Sequence, residues 1–357
     1  MKKTVQPPLL LPLSGFLALA ALAWTILIYE RPPFVIEENL PRLLFPVLVV
    51  LLIVSSAVAL GSAALRLLGL ATLPPAERGV LIPALGLGVM GHAMLLLGMI
   101  GGYRKTLLAI LVVVPLLLGL RSVIGFWAYM WERMGRGLKM PTGAWAKIAT
   151  AGVVVVLLFA WLVAYAPPTD YDVLEYHLAV PRDLLQARTW VAFPHNFYAS
   201  LPFEVEMLFT LALSLGGAFG TETAKMIVVT LLVGNLVLLW QALSVMQVRR
   251  RLRPLIILLF ALHPTVVFAW SDAFNDLGAS LFAGAGFLAW LLWVQGGPKR
   301  CLLLASVFVG LAACCKYSVV GIVVIPFALA LVPGGMVLRR EGVGEIERMG
   351  GRRARPF

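Results

Sequence analysis

Long apolar runs decide most of what this chain can fold into. Leu43–Leu65 and Ile148–Ala166 contain no charged side chain, and each has about the 20 residues with which an α-helix crosses the hydrocarbon core of a bilayer. In hydrocarbon every backbone N–H and C=O has to find its partner within the protein, which a helix achieves within its own segment. The rest of the chain is built alike. Of its 357 residues 61% are hydrophobic and 13% charged, and the mean hydropathy is +0.94, whereas soluble domains carry about 25% charged residues. A water-soluble globule is excluded, and the expected fold class is an all-α integral membrane protein.

Ten spans are expected. Leu9 to Ile28, behind Lys2 and Lys3, exceeds the roughly 7–15 residues of a cleaved signal segment and reads as a retained first helix. The others are Leu43–Leu65, Gly79–Gly101, Thr106–Leu120, Ile148–Ala166, Lys225–Ser244, Leu255–Trp270, Gly278–Val294, Cys301–Cys315 and Ser318–Val332. Lys and Arg in short loops stay cytoplasmic. With both termini inside, 21 of the 29 Lys and Arg fall on that side. The formal net charge of +12 is therefore topology, and no nucleic-acid partner is expected. Met207–Phe219 is also apolar, but as a span it would carry the Arg249–Arg253 cluster outside. It is expected to lie in, or dip into, the outer interface. Cys301, Cys314 and Cys315 lack zinc-ligand spacing.

Four regions follow: a membrane region 1–120, a basic cytoplasmic linker 121–147 with Trp127, Tyr129 and Trp131 on an interfacial helix, a membrane module 148–333, and a basic tail 334–357. The module contains an outer loop, 167–224, far longer than ordinary connections, and loops of that length are usually functional or disordered. Interfacial aromatics argue for order: Tyr171, Tyr176, Trp190, Phe193, Phe197, Tyr198 and Phe203. With Asp272 and Asp276 of the next outer turn, the loop gathers nine of the 17 acids at one membrane face. An acidic outer site is the main functional signal.

The loop opens with Asp170-Tyr-Asp172-Val-Leu-Glu175-Tyr176-His177. A helix starting near Tyr171 puts Asp172 on one face with Glu175 and Tyr176, and Leu174, Leu178, Pro181 and Leu185 on an opposite stripe that rests on the membrane. The alternative is that Asp170 or Asp172 simply caps the helix. The D-x-D triplet also occurs in soluble nucleotide-sugar transferases, but nothing here forms the nucleotide-binding domain that chemistry requires.

Together with two later segments, this stretch resembles the C-type membrane glycosyltransferase superfamily, which includes protein O-mannosyltransferases and the aminoarabinose transferases. Asp172-Val-Leu-Glu175-Tyr176 is similar to the superfamily's first-loop motif, without its Glu adjacent to the Asp. Asn275-Asp276-Leu-Gly-Ala-Ser-Leu-Phe282 resembles its second motif, and Gly310-Leu-Ala-Ala-Cys-Cys-Lys316-Tyr317 its small-residue helix running into Lys. The likeness covers roughly residues 147–333. It departs at Ser200-Leu201-Pro202, where those proteins place a Lys before Pro, in its four additional spans, and in ending soon after Val332. The resemblance implies transfer of a sugar, with inversion, from a polyprenyl-phosphate donor on the outer face.

Sugar transfer to a hydroxyl needs a base for the acceptor proton, and Asp172 is the candidate, with Asp170, Glu175 and Asp276 beside it. A phosphate leaving group needs cationic or hydrogen-bond stabilisation, for which Lys316, Arg182 and His195 are candidates, with Tyr176 and His177 lining the donor. A divalent metal shared by Asp172 and Asp276 is left open; no other cofactor is implied. Each residue also has a plainer reading. Lys316 snorkels at a helix end; Arg182 and Asp183 form a solvated face; Asp272 and Asp276 cap a helix; Glu204 and Glu206 face water. His92 bonds a neighbouring helix, and His263 donates to a carbonyl freed by Pro264. Two other classes compete: a transporter or flippase of lipid-linked sugars, which would hold ionisable groups inside its spans, and a non-catalytic membrane scaffold. Oligomeric state leaves no mark in the sequence.

Overall fold

A computed structural model describes residues 36–137 and 143–330. The expected first span and the tail lie outside the described residues. Within them the chain is helical and contains no strand, and each expected span is helix over most of its length. In chain order the helices are α1 (Ile36–Leu67), α2 (Pro75–Met99), α3 (Lys105–Leu118), α4 (Leu120–Gly137), α5 (Ala144–Val163), α6 (Ala179–Ala187), α7 (Glu204–Gly216), α8 (Gly220–Val245), α9 (Arg253–Ala261), α10 (Pro264–Ser271), α11 (Asp276–Val294), α12 (Arg300–Ala313) and α13 (Ile325–Ala330).

Five segments are long and apolar enough to cross a membrane, and seven if each bent pair counts as one span: α3 with α4 at 76°, and α9 with α10 at 61°. Ten is more than length alone supports. The 14-residue α12 reaches only about 21 Å against a hydrocarbon core of roughly 30 Å. The α9–α10 bend follows from Pro264 at the start of α10, where the ring ends one helix and suits the first turn of the next. The His263 carbonyl accepts from the N–H groups of Val266 and Val267. Its exposed ring makes no hydrogen bond among the described residues, contrary to the role expected for it.

Successive long helices alternate in direction. α1 and α2 are antiparallel and meet backbone to backbone, since a Cβ on Gly61 would overlap the Ile82 carbonyl and one on Gly86 the Ala57 carbonyl. Small residues permit such approach where lipid supplies no hydrophobic drive for helices to associate. The bundle's outer surface exposes Leu44, Leu48, Val154, Phe159, Leu259, Phe268, Leu303 and Ile322, an apolar exterior suited to lipid. The molecule is a multi-pass helical membrane protein with two unlike ends. Asp170, Asp172, Glu222, Asp272 and Asp276 gather at one; Arg66, Arg78, Lys147, Arg249–Arg251 and Lys299 lie at the other.

The 204–219 segment departs from expectation. α7 does not lie on the outer surface: every residue from Glu204 to Ala212 is buried, as a helix apolar on all sides demands. It packs against α1, α2, α6 and α8, and Phe209 is among the largest fully buried side chains. The chain reaches it by re-entering. Trp190 N–H bonds the Gly98 carbonyl near the end of α2, whereas Glu204 lies against Gly91, about 10 Å lower along that helix. α7 then climbs back and reverses into α8 through Gly217, at φ +56°, a backbone conformation only glycine adopts freely.

Candidate functional site

The site is assembled at the acidic end by four segments: the 167–203 loop, the start of α7, the α10–α11 turn and the end of α12. Asp272 anchors it. Its Oδ2 accepts from Thr169 N–H at 3.0 Å and Asp170 N–H at 3.5 Å, while Oδ1 lies 3.4 Å from Lys225 Nζ. Lys225 also donates to the Ala166 carbonyl at 2.9 Å and is only 3% exposed. Expected at the outer start of the Lys225–Ser244 span, it is instead a buried tie between α8 and the exit of α5. Asp170 Oδ1 accepts from Asp172 N–H at 2.9 Å, so Asp170 takes the capping role.

After Asp172 the backbone forms a π-helical turn, Val173–His177, before α6. The wider turn shifts the side chains relative to an α-helix. Leu174, expected on the stripe that rests on the membrane, is 53% exposed, and Val173, Tyr176, His177, Leu178 and Leu184 are buried. The π turn thereby sends two polar rings inward. The Tyr176 hydroxyl donates to Asp172 Oδ2 at 3.5 Å, and the ring stacks on Tyr198 at 5.1 Å. His177 Nδ1 stands 2.6 Å from Glu206 Oε1, both residues almost fully buried. Asn275 Nδ2 bridges Glu206 Oε1 at 3.0 Å and the Cys315 carbonyl at 2.9 Å. Beside this triad Lys316 Nζ pairs with Asp276 at 2.6 Å, both side chains partly open to solvent.

Tyr176 is where these groups meet. Burial, reinforced by Asp172, Glu206 and Asp276, raises its phenol well above the ordinary value of 10.0, so the hydroxyl remains a hydrogen-bond donor at neutral pH. Glu206 Oε2 and Asn275 Oδ1 are buried without a hydrogen-bond partner among the described residues. An oxygen left so costs about 1–3 kcal/mol, which marks acceptors for a donor brought from outside.

Of the expected site residues, the structure brings Asp172, Tyr176, His177, Asp276 and Lys316 together, with Asp170 behind them as a cap. Glu175 joins through its backbone carbonyl, which accepts from Asn196. Arg182 is exposed and lines a separate groove with Leu213 and Gly217. His195 is exposed with its ring near Phe193. Among the described residues neither bonds to the cluster.

Glu204 and Glu206 do not face water: they are 4% and 1% exposed. Glu204 Oε2 pairs with His92 Nδ1 at 2.8 Å, which makes His92 the interhelical residue expected, about 10 Å along α2 from its Met99 end. Ionisable groups therefore do occur inside the bundle. The signal for them was two acids opening a helix that is otherwise apolar all round. Among the described residues no group of three or more His, Cys, Asp and Glu is placed to hold a metal, and Asp276 is paired with the Lys316 ammonium. No protein-family model, curated protein or solved structure matches the chain.

Proposed function

We propose that this protein is an integral-membrane glycosyltransferase that moves a sugar from a polyprenyl-phosphate donor to an acceptor on the outer face. The observation that carries the reading is convergence. Asp172 from the loop, Asp276 from the α10–α11 turn and Lys316 after α12 come from three segments that resemble three superfamily motifs; both carboxylates act on Tyr176, and Lys316 pairs with Asp276.

In this reading Asp172 accepts the acceptor hydroxyl's proton as its oxygen attacks the anomeric carbon, and the departing lipid phosphate meets the Lys316 ammonium. Attack and departure on opposite faces give inversion. Tyr176 holds the Asp172 carboxylate by a neutral hydrogen bond. The His177–Glu206–Asn275 triad fixes the π turn, with Glu206 Oε2 and Asn275 Oδ1 able to accept from sugar hydroxyls. The donor phosphate is assigned to Lys316 alone, since Arg182 and His195 stand apart. The test is transfer by purified protein from a polyprenyl-phosphate sugar, with UDP- and GDP-sugars ignored. Transfer from a nucleotide sugar, with none from a lipid donor, would overturn it.

The pairing of buried Glu204 with His92 on α2 favours a second reading, a transporter of lipid-linked sugars, because such proteins hold ionisable groups within their spans. Proteoliposomes separate the two. The enzyme forms a new glycosidic product without moving intact donor across the bilayer; the transporter does the reverse.

A further inference from the structure

At the end of the bundle opposite the acidic site, three helix faces border a half-open cavity of about 460 Å³, within the roughly 300–1,000 Å³ typical of ligand sites. Its walls follow helical spacing: Leu65 and Arg66 from the last turns of α1, Arg78 and Ile82 from the start of α2, and Gly125 and Phe126 along one stripe of α4. Ser122 and Gly125 leave the space open, and a Cβ on Gly125 would meet nothing within 4 Å. The other face of α4 exposes Leu120, Ile124, Trp127 and Trp131, an apolar and aromatic surface that suits the membrane interface. The cavity thus sits beneath a helix whose back faces lipid.

Its chemistry is one-sided. Arg66 Nη1 donates to Ser122 at 3.0 Å and Arg78 Nη1 to the Ala71 carbonyl at 2.9 Å, so each guanidinium keeps further N–H groups in hand. Arg78 Nε is shielded from water and has no partner among the described residues. The Arg300 guanidinium lies against Gly69 in the same α1–α2 turn. No acidic side chain lines the cavity. Cations over apolar walls at a lipid-facing helix match one kind of ligand. We infer that this cavity binds the phosphate headgroup of an anionic glycerophospholipid, with Arg66 and Arg78 on the phosphate and the acyl root against Leu65, Ile82 and Phe126. It does not depend on the proposed enzymatic activity. This is the end that positive charge assigns to the cytoplasm, whose leaflet holds such lipids, and each arginine near them is worth about 1 kcal/mol, or about fivefold in affinity.

Native mass spectrometry of delipidated protein titrated with phosphatidylglycerol or phosphatidylcholine tests this. Expected is one tightly held phosphatidylglycerol per chain and no comparable retention of phosphatidylcholine. Arg66→Gln and Arg78→Gln should each weaken it about fivefold, and the double variant about thirtyfold. Gly125→Leu should abolish it by filling the cavity with the charge unchanged, while Lys147→Gln, at the same end but away from the cavity, should leave it intact. The arginine variants keep the test open if Gly125→Leu does not fold. Equal retention of both lipids, loss on Lys147→Gln matching the double variant, or displacement by inorganic phosphate at the lipid's concentration would each overturn the assignment.

Discussion

Asp172 and Asp170 stand two residues apart and differ in what holds them. Asp170 is committed to a backbone N–H, whereas among the described residues the Asp172 carboxylate meets only the Tyr176 hydroxyl at 3.5 Å, which leaves it available to an acceptor. Asp172→Asn should therefore lower turnover by about 10²–10⁴-fold, the usual contribution of a general base, with donor binding retained in an equilibrium assay. Near-normal turnover would move the base role to Asp276. Tyr176 offers an independent check. Its phenol is raised by burial and by neighbouring carboxylates, so it stays protonated where an ordinary tyrosine, at 10.0, is half ionised. The ultraviolet titration of the native protein minus that of Tyr176→Phe should show no step at pH 10. Removing His177 leaves Glu206 with Asn275 as its only side-chain partner among the described residues; His177→Ala should cost about 1–3 kcal/mol, seen as a lower unfolding midpoint in detergent.

At the scale of elements, two glycines carry different burdens. Gly217 turns α7 into α8 at φ +56° with open space where a Cβ would be. Gly217→Val should cost roughly 1–3 kcal/mol from backbone strain alone and leave the helix contacts as they are. Gly86 has ordinary helical backbone, but a Cβ there collides with the Ala57 carbonyl, so Gly86→Val should part α1 from α2. Cysteine cross-linking between these helices should fall for Gly86→Val and persist for Gly217→Val. Helix positions were legible from apolar run length, because a bilayer leaves the backbone few alternatives. The placement of α7 was not. An apolar helix of 13 residues satisfies both an interface and a protein interior, and only its neighbours choose between them. The π turn was equally hidden, since Val173–His177 departs from α spacing to meet partners distant in the chain.

For the whole molecule, alternating helices with acids at one end and arginines at the other predict sidedness. Single cysteines at the exposed positions Thr169 and Ser200, in a background without the native three, should react with an impermeant reagent from outside. One at Pro298, at the basic end, should not, and labelling there would invert the assignment. Sequence alone determined the membrane class, most helix positions and the acidic end, since each rests on local apolar length and on charge counted along the chain. It also marked Asp172, Asp276 and Lys316, which the fold brings to one place. Only tertiary structure decided that Glu204 and Glu206 are interior rather than solvated, that Lys225 is a buried tie, and that Arg182 and His195 stand aside. The reason is physical: whether an acid or a cation is buried depends on a partner supplied by another helix, tens to more than a hundred residues away, and local pattern carries no record of that partner.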